Sequence, residues 1–451
     1  MAFGVWSMIP PLVVVTVALK TRRAFEPLVI GCLVGFVMID WRAFPGNFLD
    51  SLLKTFQDES LVWVIVVCTL YGSIIQLMVN SGGIRAFGDW LLQWLTTRRR
   101  ALVGSWLVGI GIFLDDYLSA LVVGNAMKRV TDRFRIPREM LAFLVNSTAA
   151  AVCVIIPATT WSLYVGKLYE SSAFVPKGQG FSAYIHTIPY TFYGLAVVAI
   201  AGLVAAGIIP VVGRLGRAIE RVDAGGPLAP PGSESFVAIA TVADTVAGRP
   251  RYFVVPLVLV LGITVATGID ALKGVALALA ITAGYYVVAG VLTYEQVFEA
   301  LWEGARGMVF TLAVLVMSYV LKAVGDQMGL TQYLVDVMRT HASREALPAL
   351  IFLALGLVSF ATGSSWGVYA VAVPIVVALI GSLGIHPWLS MGAVVSAGTL
   401  GSHACFYSDA SVLSATSAEC NNVEHGLTQL PYAGVAFGVA AVGYLVAGYL
   451  L

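Results

Sequence analysis

Charge is what this sequence has least of. Lys and Arg number 26 and Asp and Glu 25 in 451 residues, an 11% share that is less than half of the roughly 25% usual in soluble domains. A soluble fold of this length could not cover its surface with so few charges. The net charge is +1 and no basic face stands out, so nucleic acid is excluded as a partner. Cysteine is scarce too: Cys32, Cys68, Cys153, Cys405 and Cys420 show no short metal-ligand spacing and read as helix-packing residues. No Gly-x-x-x-x-Gly-Lys-Ser/Thr loop and no Gly-x-Ser-x-Gly elbow occurs, which argues against an ATP-driven pump and against a hydrolase. No enzyme and no bound cofactor is expected. No basic stretch precedes the first apolar run from Val5, and Lys20, Arg22 and Arg23 follow it. That run reads as a retained span with its following loop in the cytoplasm, not as a cleavable signal.

Apolar sequence is what the chain has instead. Hydrophobic residues make up 59%, in continuous runs many of which reach the roughly 20 residues needed to cross a bilayer. A β-barrel would show short alternating segments, so the composition predicts an all-α polytopic protein of the inner (plasma) membrane, with the lipid bilayer as its main partner. Spans are predicted over 5–20, 27–40, 61–80, 140–165, 191–213, 251–268, 271–293, 307–325, 387–417 and 431–451. Two further apolar segments are interrupted, 101–127 by Asp115-Asp116 and 347–382 by Ala361-Thr362-Gly363-Ser364-Ser365.

Basic residues decide how the first of these runs. Arg98, Arg99 and Arg100 precede it, and Lys128, Arg129, Arg133, Arg135 and Arg138 follow it. A single crossing would put one cluster outside, against the positive-inside tendency. A re-entrant hairpin keeps both inside, with arms of about 11–14 residues too short to cross alone. Residues 41–60 carry more acidic than basic residues and read as external. Residues 214–250, with Arg214, Arg217, Arg221, Arg249 and Arg251 around Pro and Gly, read as a cytoplasmic linker. The chain then divides into 1–213 with hairpin 101–127, the linker 214–250, and 251–451 with hairpin 347–382. Ser81-Gly82-Gly83-Ile84 before one broken segment parallels Gln327-Met328-Gly329-Leu330 before the other. About five spans and one hairpin per half make the halves inverted repeats with discontinuous helices near the midplane, the pattern of secondary transporters.

The polar residues at membrane depth mark the candidate site. Intramembrane carboxylates are costly and mark ion pathways or proton relays. One aspartate of the Asp115-Asp116 pair is expected to cap the half-helix that follows, but a second adjacent carboxylate is not needed for capping. Two such groups in a poorly hydrated site cannot both ionise freely, so one keeps a proton until a cation displaces it. Asn146, Ser147, Thr148, Thr159 and Thr160 interrupt the next span, where Pro157 frees carbonyls that suit Na⁺. Na⁺ ligands are therefore expected among Asp115, Asp116, Asn146, Ser147 and Thr148. Thr362, Ser364, Ser365, Ser402, His403 and Asp409 are the counterparts in the second half. His425 with Glu424 reads as part of a surface or gating loop. Trp161, Trp366, Phe406 and Tyr407 are expected to shape the pocket.

These same segments resemble the NhaC-type sodium/proton antiporter family, within the ion transporter superfamily. The resemblance is carried by Phe113-Leu114-Asp115-Asp116-Tyr117, the run MKRVTDRFRIPRE from Met127 to Glu139, Asn146-Ser147-Thr148-Ala149-Ala150, Ile156-Pro157-Ala158-Thr159-Thr160-Trp161, Thr362-Gly363-Ser364-Ser365-Trp366-Gly367, and Ser408-Asp409 with Thr428-Gln429-Leu430-Pro431-Tyr432. It implies a cation-coupled secondary transporter exchanging Na⁺ for H⁺ by alternating access. A homodimer is plausible by analogy with related folds. The family pattern is departed from in three places: Asn146 and Ser402 each stand where it has Asp, and the pair Phe406-Tyr407 stands where it has Pro-Ile. Family members also carry amino acids and organic acids, so Na⁺- or H⁺-coupled transport of a small organic solute (an amino acid, an organic acid or a cationic amine) is the alternative expectation, and a passive channel the third.

Overall fold

The structure is a computed structural model and describes residues 3–21, 25–234, 248–330, 332–333, 343–363 and 365–451. Among these residues it is helical throughout, with no strand. The first half contains α1 (Ile9–Thr21), α2 (Phe25–Ile39), α3 (Phe44–Thr55), α4 (Glu59–Asn80), α5 (Gly83–Leu91), α6 (Arg98–Gly111), α7 (Asp116–Arg133), α8 (Arg138–Thr148), α9 (Ala150–Ile155), α10 (Thr160–Ser171), α11 (Gly180–Thr187) and α12 (Phe192–Ala205). Next comes α13 (Gly213–Asp223), within the predicted linker. The second half contains α14 (Arg251–Ala266), α15 (Ala271–Val288), α16 (Tyr294–Gly307), α17 (Val309–Met328), α18 (Leu347–Thr362), α19 (Ser365–Leu383), α20 (Pro387–Ala404), α21 (Asp409–Ser417) and α22 (Asn422–Leu450).

Six described helices, seven counting one pair bent by 57°, are long and apolar enough to cross a membrane. This is fewer than the ten predicted spans. Phe25–Ile39 and Arg251–Ala266 form shorter apolar helices, and 140–165 and 387–417 are each divided. The outermost helix shows what the bundle presents to its surroundings: on α22, Val435, Val439, Val442 and Val446 are exposed while Ala436, Ala440 and Tyr444 are buried. An apolar outward stripe opposite a small-residue inward one fits lipid on the outside. Residues 41–60, read as a loop, contain α3, whose start carries Pro45 in the first helical turn, where its missing N–H costs nothing.

Both interrupted segments break where expected. Asp115, in extended conformation, caps α7 by accepting from Leu118 N at 3.0 Å. Gly363 ends α18 with φ +67°, and a Cβ there would lie 2.9 Å from the Tyr407 ring. The arms of the second segment, 16 and 19 residues, are longer than a short re-entrant arm, and α19 is apolar enough to cross.

Where the ends of these segments go is fixed by polar contacts. Arg98, at the start of α6, pairs with Asp223 of α13 at 2.9 Å. Beyond the end of α7, Arg135 donates to Val222 O and Gly226 O at 3.0 Å each. The two ends of the first segment therefore meet on the α13 face. In the second segment, Arg344 before α18 donates to Gly384 O after α19, so its ends meet as well. Two broken helical runs follow: α8–α9–α10, interrupted at 156–159, and α20–α21, interrupted at 405–408. They are antiparallel. Arg138 at the start of one pairs with Glu419 past the end of the other at 3.5 Å, and Phe174 and Trp388 touch at the opposite end, ring centroids 5.2 Å apart.

Candidate carboxylate site

The breaks bring the N-termini of α7, α10, α19 and α21 together. Asp115 and Asp116 are fully buried and Asp409 nearly so. Asp115 Oδ2 accepts from Thr160 Oγ1 at 3.1 Å. Asp116 Oδ1 accepts from Trp161 Nε1 at 2.9 Å, and its Oδ2 makes no hydrogen bond. Asp409 Oδ2 accepts from Tyr117 Oη at 2.7 Å and its Oδ1 from Ala410 N at 2.9 Å. Trp366 closes the group: its Nε1 donates to Tyr117 Oη at 3.0 Å, and its ring lies 5.3 Å from that of Trp161. The partners of the three carboxylates are thus hydroxyl, indole and backbone groups. Among the described residues no Lys or Arg is paired with them, and no three His, Cys, Asp or Glu side chains are grouped to hold a metal ion.

A cavity of about 550 Å³ reaches this cluster from one side, lined by Glu59, Trp63, Tyr164, Lys167, Tyr319 and Trp366 among others, with Thr160 in its wall. The cavity is one hydrogen bond from Asp115 and two from Asp409. Its rim includes Thr267–Ala271 and Lys167, residues of the face away from α13.

The other predicted site residues form a second, neutral cluster. Asn146 Nδ2 lies within hydrogen-bond reach of His403 O (3.0 Å), Ser411 Oγ (3.1 Å), His425 Nε2 (3.2 Å) and Gln429 Oε1 (3.2 Å), while Asn146 Oδ1 has no partner. His403 is held between Tyr193 Oη at 2.8 Å and Ser147 Oγ at 3.0 Å. It bonds to these two residues and not to Asp409, with which it shares the broken run. His425 corrects the sequence reading outright. It is fully buried on α22 against Asn146 and lies in no surface loop, because Asn421 caps α22 at its own start and turns the polar stretch inward.

Several expected ligands make local contacts here. Thr148 Oγ1 donates back to Leu144 O and Val145 O, and the side chain packs on Gly109 of α6. Thr159 makes a capping box with Ser162 and donates to Cys153 O at 2.7 Å; its neighbour Thr160 is the residue that reaches Asp115. Thr362 Oγ1 returns to Val358 O, and Ser402 donates to Ser365 at 2.9 Å. Ser364 lies outside the described residues. Trp161 and Trp366 flank the carboxylates, and of the two Trp366 lines the cavity. Phe406 and Tyr407 do not line the cavity: Phe406 packs on Phe360, and Tyr407 Oη donates to Ala361 O at 2.6 Å beside the Gly363 turn. Tyr193 and Ser411 were not singled out from sequence; Tyr117 and Gln429 entered only as members of the family-like segments, Tyr117 directly after the two aspartates.

Residues 164–449 match the model of the Na⁺/H⁺ antiporter family, a stretch that includes Trp366, Ser402, His403 and Asp409 and begins after Asp115 and Asp116. An uncharacterized protein of Haemophilus influenzae is 27% identical, the alignment covering 99% of this chain and 91% of that protein. With a match over more than half its length, this helical membrane protein belongs to the Na⁺/H⁺ antiporter family.

Proposed function

We propose that the protein is a secondary active transporter of the inner membrane that exchanges Na⁺ for H⁺ by alternating access, with Asp115, Asp116 and Asp409 as the groups over which the two ions compete. One observation carries this reading: carboxylates from the two halves of the chain share one buried cluster, without a basic partner, at the end of a cavity. A buried carboxylate needs compensation from a proton or a cation, and a site satisfied by either in turn is the physical basis of exchange. No cofactor and no covalent chemistry is invoked.

The contacts also support a hairpin reading of both interrupted segments, since the ends of each meet. Hairpin then broken run, α6–α7 with α8–α10 and α18–α19 with α20–α21, gives inverted repeats over 1–213 and 251–451 joined by the 214–250 linker. The side carrying α13 is assigned to the cytoplasm from its Arg and Lys. Everted vesicles or proteoliposomes are expected to show Na⁺-dependent dissipation of a proton gradient. Full exchange retained in the Asp115→Asn, Asp116→Asn double variant would overturn the assignment.

A second reading, coupled transport of a small organic cation, is favoured by the aromatic walls and the volume of the cavity, far larger than one Na⁺ needs. Aromatic faces attract organic ammonium groups. Thermal shift with a panel of amines, with and without Na⁺, separates the two readings: stabilisation by Na⁺ alone excludes the second.

A further inference from the structure

We propose that Tyr117 Oη is a ligand of the transported cation and that the Trp366 indole competes with the cation for it, so that the α18–α19 turn is latched only while the carboxylate cluster is empty. This deepens, and rests on, the reading that the cluster binds the transported ion.

Tyr117 is fully buried and follows Asp116 on the first turn of α7. Its hydroxyl is committed on both sides: it donates to Asp409 Oδ2 at 2.7 Å and accepts from Trp366 Nε1 at 3.0 Å. Three elements from both halves of the chain, α7, α19 and α21, are thereby joined through one oxygen. Trp366 is half-buried in the cavity wall, and its carbonyl is held by Tyr164 Oη at 3.2 Å.

An indole N–H can only donate, so Trp366 directs the positive end of its N–H dipole at the Tyr117 oxygen. A hard cation that binds Asp409 Oδ2 takes neighbouring oxygens as ligands. The nearest offered by another side chain is Tyr117 Oη, through the lone-pair side that Trp366 now occupies. Cation and N–H repel each other, so a cation on that oxygen weakens its bond to Trp366. Without a cation the α18–α19 turn is tied through Tyr117 to Asp409; with one bound the tie loosens. An exchanger needs this logic, because an empty carrier that reorients freely lets one ion pass without the other. A ligand shifts a conformational equilibrium only through its different affinity for the two states, and competition for Tyr117 supplies such a difference.

The latch makes opposite predictions for its two members. Full-length protein in proteoliposomes is loaded with Na⁺, and Na⁺ flux and proton flux are followed together. Tyr117→Phe removes the ligand and is expected to raise the half-saturating Na⁺ concentration about tenfold, the size of one lost polar contact to a charge. Trp366→Phe keeps an aromatic ring but removes the competing N–H. It is expected to lower half-saturation about threefold, again on the scale of one hydrogen bond, and to let Na⁺ leave without proton return. Shifts in the same direction, or an unchanged half-saturation with intact coupling in Trp366→Phe, would overturn the latch. If Tyr117→Phe does not fold, the sign of the Trp366→Phe shift decides alone. Absence of Na⁺-dependent exchange in the unsubstituted protein would instead remove the site reading beneath the latch.

Discussion

Arg221 meets Glu139 side by side, Nη1 2.8 Å from Oε1 and Nη2 2.9 Å from Oε2, with Glu139 only 2% exposed. The pair fastens α13 to the start of α8, and the hydrogen bonds that Arg221 donates to Glu139 hold the guanidinium pKa above its ordinary value. Planar two-point contact is specific to Arg. Arg221→Gln leaves a buried carboxylate unpaired and is expected to cost about 3 kcal/mol, read as a lower unfolding temperature in detergent. Arg221→Lys, which keeps the charge but not the fork, is expected to recover only part of that loss. Equal stability of all three proteins would show that α13 is not fastened here.

Asp409 is the second half's contribution to the carboxylate cluster, joined to the first half through Tyr117. If both halves build one ion site, Asp409→Asn alone is expected to abolish exchange, as is the Asp115→Asn, Asp116→Asn double variant. Thr160→Val, which removes only a hydroxyl donor to Asp115, is expected to slow exchange about tenfold, the effect of one hydrogen bond to a charged group. Proton-gradient dissipation in everted vesicles measures all of these. Normal exchange in Asp409→Asn would confine the site to the first half.

The sequence was most legible where physics forbids accident. Asp115-Asp116 and Thr362-Gly363 interrupt apolar runs, and the chain breaks at both, because a cap or a left-handed turn costs too much to place inside a membrane helix without cause. The cysteines, too, are buried and free. What could not be read are contacts between residues far apart in the chain. Tyr117 and Asp409 are separated by 292 positions and Asn146 and His425 by 279, and neither partner of a hydrogen bond announces the other. His425 was misplaced for a related reason. The stretch Glu419-Cys420-Asn421-Asn422 has the composition of a surface loop, and it is covered by distant residues: Lys128 and Arg138 pair with Glu419, and in the linker after α13 Ser233 Oγ accepts from Asn421 N at 3.0 Å. Thr159 and Thr160 differ by one position, but Thr159 is the extended N-cap and Thr160 the first helical residue, and that boundary, which the sequence does not mark to one residue, separates a capping role from a place beside Asp115.

Asn146 presents its amide nitrogen to a set of acceptors, so its charge state is part of the fit. Asn146→Asp replaces that donor with an acceptor facing His403 O and Gln429 Oε1. In Na⁺-free medium a loss of about 2 kcal/mol is expected from the unpaired buried groups, and added Na⁺ restores part of it by taking the donor's place. Thermal unfolding with Na⁺ or choline measures the difference. A variant as stable as the parent in choline would mean that the neutral cluster tolerates a charge, and that the amide at 146 is not what organises it.

Gly124 sets how closely α7 and α21 approach. A Cβ at position 124 would lie 1.9 Å from Ser417 Oγ and 2.5 Å from its Cβ, and Ser417 is itself fixed by donating to Ala120 O at 2.7 Å. Gly124→Ala therefore forces the two helices apart, at about 2 kcal/mol for overpacking a tight contact. The displacement acts on the pair whose N-termini carry Asp116 and Asp409, so exchange falls with stability. Ser417→Gly removes the obstructing atoms, and the double variant Gly124→Ala, Ser417→Gly is expected to regain most of the unfolding temperature and most of the exchange. Additive losses in the double variant would place the cost of Gly124→Ala elsewhere than in this contact.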